Sequence, residues 1–364
     1  IRFWTAVMIR APRSLTQVLE EVGRGGDKLF PMVEATPEAF FKRCKRLRWA
    51  FFAGVYRAFL RRVLPDAPTS FASPVAFLRE RFSEVWAIDG SRLDAVAHRL
   101  KILRKVRAVV LPGCVIVLYD LFRGITREIL FSGDAAKAEM KRAFEIVTVV
   151  PKGALLLGDR LYCGVKFFAH LTSRGIYGVF RRNKRLLIRK IKRLRKVRLK
   201  GGILEDILVE VGCGATMPKQ TLRWIRLRLP GVTRDLLTNV LDPKRLSAEE
   251  ALSLYPWRWS IERLFFDLKE VLNLHRFYAG SPNAVAMQVF AAAIVHTAFR
   301  IAQARIAGRH GLKPEEISPA KFFPRLATAS IGLTDAQAYF EATREANPGV
   351  RLHEPTWEDQ PFAW

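Results

Sequence analysis

Two short apolar runs, each leading into an aspartate, constrain this chain most strongly. The run VWAI precedes Asp89, and the run ALLLG precedes Asp159. Between them lie the pattern of a hairpin around Gly124 and a helix for which Asp134 is a suitable cap. A helix and one more strand follow the second aspartate. This order of strands and helices predicts an α/β fold in which a mixed sheet is flanked by helices.

The two aspartates are candidates for chemistry because a carboxylate at the end of a buried strand is rigidly placed beside a crevice. Two such groups side by side repel each other unless a cation lies between them. Each also has an ordinary interpretation. Asp89 precedes Gly90, as turn residues often do, and Asp159 can pair with the adjacent Arg160.

The charge of the chain limits the classes of partner. It has 61 Lys and Arg against 34 Asp and Glu, a formal net charge of +27. A field of this sign attracts polyanions, of which nucleic acid is the commonest large one; a ribosome-like or membrane-surface protein is the alternative. The cations are densest from 181 to 200, where no acidic residue occurs. We expect this run to follow a DNA backbone, with a solvated basic hairpin or helix as the alternative.

Other signals point away from a membrane or a structural zinc site. The four cysteines are scattered, without a C-x-x-C pair or a histidine at ligand spacing. The longest apolar run, from Ala284 to Phe299, contains Gln288 and His296 and predicts a buried helix. No signal peptide is visible, and we expect a cytoplasmic, nucleoid-associated protein of a prokaryote.

A third acid lies on a predicted helix from Leu252 to about Asn273. At 3.6 residues per turn, Arg258, Glu262 and Lys269 share one face of that helix. A separate apolar stripe comprises Trp257, Ile261, Leu264, Leu268 and Leu272. Such a helix can pack on a sheet and still present an acid between two cations. The alternative is an amphipathic helix on which Arg258 and Glu262 form an ordinary ion pair.

These residues resemble a known family. The spacing Y-x2-R-x3-E-x6-K occurs at Tyr255, Arg258, Glu262 and Lys269, and it is similar to the motif of the insertion-sequence-four family of DDE transposases. The segments AIDGS around Asp89 and LGDR around Asp159, and the segment LDPKRLSA that leads toward the tyrosine, also resemble that family. The resemblance extends from about residue 84 to about residue 300.

The resemblance implies a ribonuclease-H-like catalytic domain with a β-rich insertion and helical N- and C-terminal regions. It implies that Asp89, Asp159 and Glu262 are catalytic and bind two Mg²⁺ or Mn²⁺ ions, which carboxylate oxygens suit. Tyr255, Arg258 and Lys269 would contact the DNA end. A tryptophan of the insertion stabilises a flipped base in relatives, and Trp224 is the candidate here, with packing within the insertion's own sheet as the alternative. The candidates for DNA binding from the basic run are Arg181, Arg182, Lys184 and Arg185.

The sequence therefore predicts a transposase that cleaves terminal inverted repeats and joins them to target DNA, acting as a homodimer in a synaptic complex. A domesticated or inactive DNA-binding relative and a metal-dependent nuclease without strand transfer are the alternatives. We expect a helical, DNA-binding region over 1–78, a catalytic domain over 79–183 and 241–300, an insertion over 184–240, and a helical tail over 301–364.

Overall fold

A single nine-stranded sheet forms the centre of the molecule, with strand order β3-β2-β1-β4-β5-β9-β8-β7-β6. The computed structural model describes residues 2–24, 35–93, 113–134, 138–212, 217–272, 274, 277–278 and 280–332. The strands are β1 (Val85–Arg92), β2 (Cys114–Asp120), β3 (Ile125–Ser132), β4 (Leu155–Gly158), β5 (Tyr177–Arg181), β6 (Ile188–Leu199), β7 (Gly202–Val211), β8 (Gln220–Leu229) and β9 (Val232–Thr238).

The first five strands form a mixed sheet. β2 is antiparallel to β1 and β3, whereas β1, β4 and β5 are mutually parallel. Gly124, at a positive φ of 67°, lies in the turn that joins β2 to β3. This order and direction of strands is the ribonuclease-H-like arrangement, so the predicted fold class is confirmed.

The last four strands form an antiparallel meander that extends the same sheet. β9 pairs with β5 over Val179–Arg181, and β6 is left as the open edge. The predicted β-rich segment before the glutamate helix is therefore present. The domain boundaries proposed from the sequence stay predictions.

Helices cover the two faces of the sheet. On one face, here called the α6 face, lie α5 (Glu139–Ile146) and α6 (Val165–Ser173), which pack on Ile88, Leu156 and Phe180. On the other, the α8 face, Ala87 and Leu157 belong to the core that includes α8 (Trp259–Phe266) and α9 (Pro282–Arg309). The sequence suggested that Asp134 caps the helix after β3, but Asp134 does not cap α5. Its backbone bonds to Ser132 in the turn after β3, and the helix begins five residues later.

The glutamate segment is helical but not uniform. It comprises α7 (Ala248–Leu254), a 3-10 turn (Tyr255–Arg258), α8, and a π-helical turn (Asp267–Val271). Ser247 caps α7 through a complete capping box with Glu250. All five residues of the predicted apolar stripe are buried. The predicted end near Asn273 lies outside the described residues.

Four of the described α-helices precede the sheet, and the first, third and fourth of them pack on α9. They are α1 (Arg2–Arg10), α2 (Leu15–Arg24), α3 (Pro37–Arg46) and α4 (Trp49–Val63). Thr36 accepts a hydrogen bond from the Ala39 amide at the start of α3. The Tyr56 hydroxyl of α4 donates to the Thr126 carbonyl of β3 at 2.8 Å. These helices therefore share one core with the sheet.

The apolar run before residue 300 forms α9, which is buried along most of its length. Among the described helices it is the one with the length and composition of a membrane span, but most of that stretch is buried inside the protein. The last described helix is α10 (Pro319–Gly332), and the predicted tail beyond residue 332 lies outside the described residues.

Candidate active site

The register of β1 and β4 places the two aspartates at one level of the sheet. The parallel pairing ends at Ala87 opposite Leu157. Asp89 lies two residues farther along β1, and Asp159 directly follows the end of β4 at Gly158. Because side chains alternate along a strand, both aspartates lie on the side of Ala87 and Leu157, which is the α8 face. The two strand motifs thus bring Asp89 and Asp159 to neighbouring positions.

The expectation that β1 ends at Asp89 is wrong. The strand continues to Arg92, with Asp89 opposite Val117 of β2. The antiparallel partner keeps the backbone extended here, so Gly90 is not a turn residue. Its lack of a side chain instead leaves room for Glu139, because a Cβ atom at Gly90 would lie 2.6 Å from the Glu139 Cδ atom.

Arg258 joins the glutamate of α8 to the first aspartate. Its Nη1 atom lies 2.8 Å from Glu262 Oε1 and 3.8 Å from Asp89 Oδ2. One buried guanidinium nitrogen therefore lies between two carboxylates that come from different elements. The expected ion pair between Arg258 and Glu262 is present, but it extends to a third group on β1.

Tyr255 and Lys269 also reach the ends of these strands. The Tyr255 hydroxyl donates to the Gly158 carbonyl at 3.2 Å, directly before Asp159. The Lys269 Nζ atom donates to Ser91 Oγ at 2.8 Å, two residues after Asp89. All four residues of the tyrosine–arginine–glutamate–lysine pattern thus surround the two aspartates.

The electrostatics of the site reflect buried charge. Burial raises the pKa of Asp89 to about 7; Glu139 and Asp159 add to this, and the Gly90 amide and Arg258 oppose it. Burial also raises the pKa of Tyr255, with a further contribution from Asp159. Burial alone would lower the pKa of Arg258, but Tyr255, Glu262 and Asp89 raise it overall. The acids therefore influence one another at short range, and Arg258 is firmly cationic.

The donor chemistry of these residues fits a hard divalent cation. Asp89, Asp159 and Glu262 offer carboxylate oxygens, and a positive charge, that of Arg258, already lies between two of them. Within the described parts of the chain, no three His, Cys, Asp or Glu side chains are gathered closely enough to hold an ion. The carboxylates therefore have suitable oxygen donors, but a closed coordination sphere would require side-chain rearrangement.

Trp224 lies in β8 and is 5% exposed. Its Nε1 atom donates to Asp235 Oδ1 at 2.9 Å, and its ring packs in the core of the α6 face. The guanidinium carbons of Arg182 and Arg226 lie 4.7 Å and 5.0 Å from the ring centroid, and Lys190 Nζ lies at 5.7 Å. The ring is thus covered by cations within the insertion's own sheet; a contact with a flipped base stays a prediction.

The other basic candidates divide between the site and the surface. Arg181 ends β5, and its charge acts on Tyr255, so it adjoins the acidic site. Lys184 and Arg185 are exposed in the turn that leads into β6. The structure therefore places one of these cations at the site and two beyond it.

Sequence reasoning missed Glu139 and Tyr162. The Tyr162 hydroxyl donates a short hydrogen bond to Glu139 Oε1, and Tyr162 follows Asp159 by three residues. Glu139 lies over Gly90, so this bond connects the segment after β4 to β1 beside Asp89. No local pattern marks Glu139, because its position depends on the close approach of α5 to Gly90.

Comparison with known proteins shows which family and which individual proteins this chain is similar to. Residues 113–298, just over half of the chain, match the family model described as "Transposase DDE domain". That span includes Asp159 and Glu262 and begins after Asp89. The chain is 30% identical over 159 residues to "Putative transposase y4zB" of Sinorhizobium fredii, which is 42% of this chain and 44% of that protein. The chain thus matches less than half the length of this relative.

A solved structure is also similar in outline. A cryo-EM structure of the piggyBac transposase synaptic complex with hairpin DNA aligns over 97% of this chain and 75% of that chain. The sequence identity is 11% and the TM-score is 0.43.

Proposed function

Because this chain belongs to the transposase DDE domain family, we propose that it cuts DNA ends and joins them to new DNA. The observation that supports this proposal is the proximity of acids from three elements. Asp89 in β1 and Asp159 after the parallel strand β4 lie toward the same end of these strands, and Arg258 pairs Asp89 with Glu262 of α8. A purely structural helix would require only the ion pair between its arginine and its glutamate. It would not account for two further acids near the ends of neighbouring strands.

We propose that Asp89, Asp159 and Glu262 hold two divalent ions, Mg²⁺ or Mn²⁺. Bound there, the ions would supply activation of a water or a 3′-hydroxyl and stabilisation of the leaving oxygen. The three carboxylates would fix the position of these charges. Burial, Glu139 and Asp159 all raise the pKa of Asp89, and a cation bound beside Asp89 would offset these effects.

The cationic residues would hold the DNA strand. Arg258 would exchange one of its carboxylate partners for a phosphate, because a guanidinium gives a directional, charge-assisted contact. Lys269 would bring a second positive charge from the side of Ser91. Tyr255, fixed on the Gly158 carbonyl, would support the position of the strand beside Asp159.

The finer assignment follows the motif. We propose that the protein is of the insertion-sequence-four type and that it performs cut-and-paste transposition on terminal inverted repeats. It would act as a homodimer in a synaptic complex with the ends and target DNA, in the nucleoid of a prokaryotic cell and without a membrane.

One assay separates this proposal from its two rivals. The protein is incubated with Mg²⁺, a labelled duplex that carries the inverted repeats from either side of its gene, and an unlabelled target. Cleavage followed by joining supports the transposase. Binding without cleavage supports a domesticated DNA-binding protein, and cleavage without joining supports a nuclease; either result overturns the proposal.

A further inference from the structure

The strand register divides the basic run of β6 between the two faces of the sheet. Paired residues of antiparallel strands lie on one face, and irregularities at Ile191 and Leu194 reset the alternation along β6. Four cations therefore lie on the α6 face with Trp224, and three on the α8 face. Those on the α6 face are Lys190, Arg193, Lys196 and Arg198, and those on the α8 face are Arg189, Lys192 and Arg195.

On the α8 face, two of the three cations have acidic partners. Arg189 lies 2.9 Å from Glu210 of β7. Arg195 lies 2.9 Å from Glu249 of α7, which packs on this side of β7. Two of the three cations on this side of β6 are thus paired within the protein.

On the α6 face, cations gather around one ring. Arg182, Lys190 and Arg226 all approach Trp224, although they come from three different segments. Like charges brought this close repel one another, and the ring's quadrupole offsets part of that cost. The Nε atom of Arg182 is buried and has no hydrogen-bond partner among the described residues.

Two acids on this face are shared among several cations. Asp235 accepts from Trp224 and lies 3.4 Å from Arg226. Glu205 lies 2.7 Å from Arg228 and 3.6 Å from Arg193. Both acids are engaged within the sheet, so the α6 face keeps an excess of positive charge.

These charges form a row across the strands. The row crosses from β5 to the edge of the sheet in the order Arg182, Asp235, Arg226, Glu205, Lys196. Adjacent strands are about 4.8 Å apart. At its inner end, Arg182 follows Arg181, whose charge acts on Tyr255 of the candidate active site. Arg182 itself lies on the α6 face, opposite the face that carries Asp89 and Asp159, so the row runs from the strand next to the site to the open edge on the other side of the sheet.

We propose that the exposed cations of the α6 face bind the sugar–phosphate backbone of duplex DNA, with Trp224 as the platform that holds Arg182, Lys190 and Arg226. The inference rests on the proposed function and deepens it by naming a surface, on the opposite side of the sheet from the acids, that holds DNA outside the active site. Duplex DNA carries about one negative charge per 1.7 Å of axis, so its backbone can neutralise the excess of exposed cations on this face. Arginine is suited to phosphate because its donors are planar and can bind in pairs.

Two matched triple variants test the division between faces. One replaces Lys190, Arg193 and Lys196 by Gln, and the other replaces Arg189, Lys192 and Arg195 by Gln. Both remove three charges from the same strand. Affinity for a labelled duplex is measured in EDTA, so that no cleavage occurs, over a range of salt concentrations.

We expect the α6-face triple to lower the slope of log affinity against log salt by about 2–3, since each lost phosphate contact contributes roughly 0.9. The α8-face triple should leave the slope within about 0.5 of the unmodified protein by the same relation. Equal losses in the two triples, or a larger loss in the α8-face triple, would overturn the inference. If the unmodified protein binds no duplex at all, the proposed function itself fails.

A second pair of variants tests the role of Trp224. Trp224→Leu removes the platform, and Trp224→Phe keeps a ring. We expect the Leu variant to bind severalfold more weakly to every duplex, with or without inverted repeats, and the Phe variant to retain most of the affinity. A loss confined to duplexes with inverted repeats would indicate base recognition and contradict the platform. If Trp224→Leu does not fold, the two charge triples and Trp224→Phe decide.

Discussion

The two parts of the nine-stranded sheet carry charge in opposite ways. In the part formed by β1 to β5, a few acids converge around one buried arginine, and the Arg258 side chain is 6% exposed. In the part formed by β6 to β9, many cations are spread over exposed positions, such as Arg189 at 72% and Arg193 at 56%. Chemistry at one phosphodiester requires a fixed position, whereas affinity for a polyanion is a sum over many weak contacts. The following substitutions test this difference between the two parts.

The largest effect, on DNA cleavage, is expected in the part formed by β1 to β5, where the acids converge. Glu262→Gln keeps the shape of the side chain and removes the charge that a divalent cation requires. Cleavage of a labelled DNA end in Mg²⁺ should fall by about a thousandfold, within the range for loss of a key electrostatic group. Binding of the same end in EDTA should persist. The control is Glu270→Gln on the adjacent exposed turn, which should cleave normally; normal cleavage by Glu262→Gln contradicts the assignment.

A smaller but substantial effect, on stability, is expected at the buried ion pair in the part formed by β6 to β9. Arg223 and Asp206 form a charge-assisted contact that is almost fully buried, and Arg223 also donates to the carbonyls of Val240 and Leu246 before α7. Arg223→Met leaves a buried carboxylate without its partner, so unfolding free energy should fall by about 3 kcal/mol. Urea denaturation measures this. A change below about 0.5 kcal/mol, the scale of an exposed pair, would show that burial does not distinguish this arginine from its exposed neighbours.

The contact beneath Asp89 should give an intermediate effect. Gly90→Ala places a methyl group against the Glu139 carboxyl group, which Tyr162 holds in place. We expect a loss of about 1–3 kcal/mol of stability, typical of overpacking. Adding Glu139→Ala removes the opposing group, so the double variant should lose less than the sum of the single losses. Simple additivity would mean that the two residues do not meet in solution.

The smallest effect is expected at the exposed ion pairs of β6. Arg189→Gln removes the partner of Glu210, and thermal or urea unfolding should change by less than about 0.5 kcal/mol because solvent screens such pairs. Arg223→Met is the buried counterpart from the same part of the sheet. A loss at Arg189 as large as that at Arg223 would abolish the contrast between buried and exposed arginines.

The strands and helices around the candidate active site could be predicted because each has a recognisable local sequence pattern. Apolar runs precede Asp89 and Asp159, and the spacing of Arg258 and Glu262 is one helical turn. Two local readings failed where a distant contact decides the outcome. Gly90 continues a strand because β2 pairs with it, and Asp134 lies in the turn after β3 rather than at the start of α5.

The part formed by β6 to β9 was predicted to be β-rich, but the distribution of its charges over the two faces could not be predicted. The run from 181 to 200 has no acid to mark a face, and the irregularities at Ile191 and Leu194 change which side each cation takes. The partners that distinguish the faces, Glu210, Glu249 and Asp235, lie on other elements. Only the register of four strands reveals which cations share a face with Trp224.

The open edge at β6 has a consequence for solubility. An unpaired strand at the edge of a large sheet can pair with the edge of another molecule and start aggregation. Exposed lysines and arginines together with two irregularities are devices that prevent such pairing, and β6 has both. Leu187 and Ile191 are among the most exposed large apolar residues of the described chain and lie in or next to this strand. Removing cations from β6 should therefore promote self-association at high protein concentration, so light scattering of such variants reports on edge protection independently of any ligand.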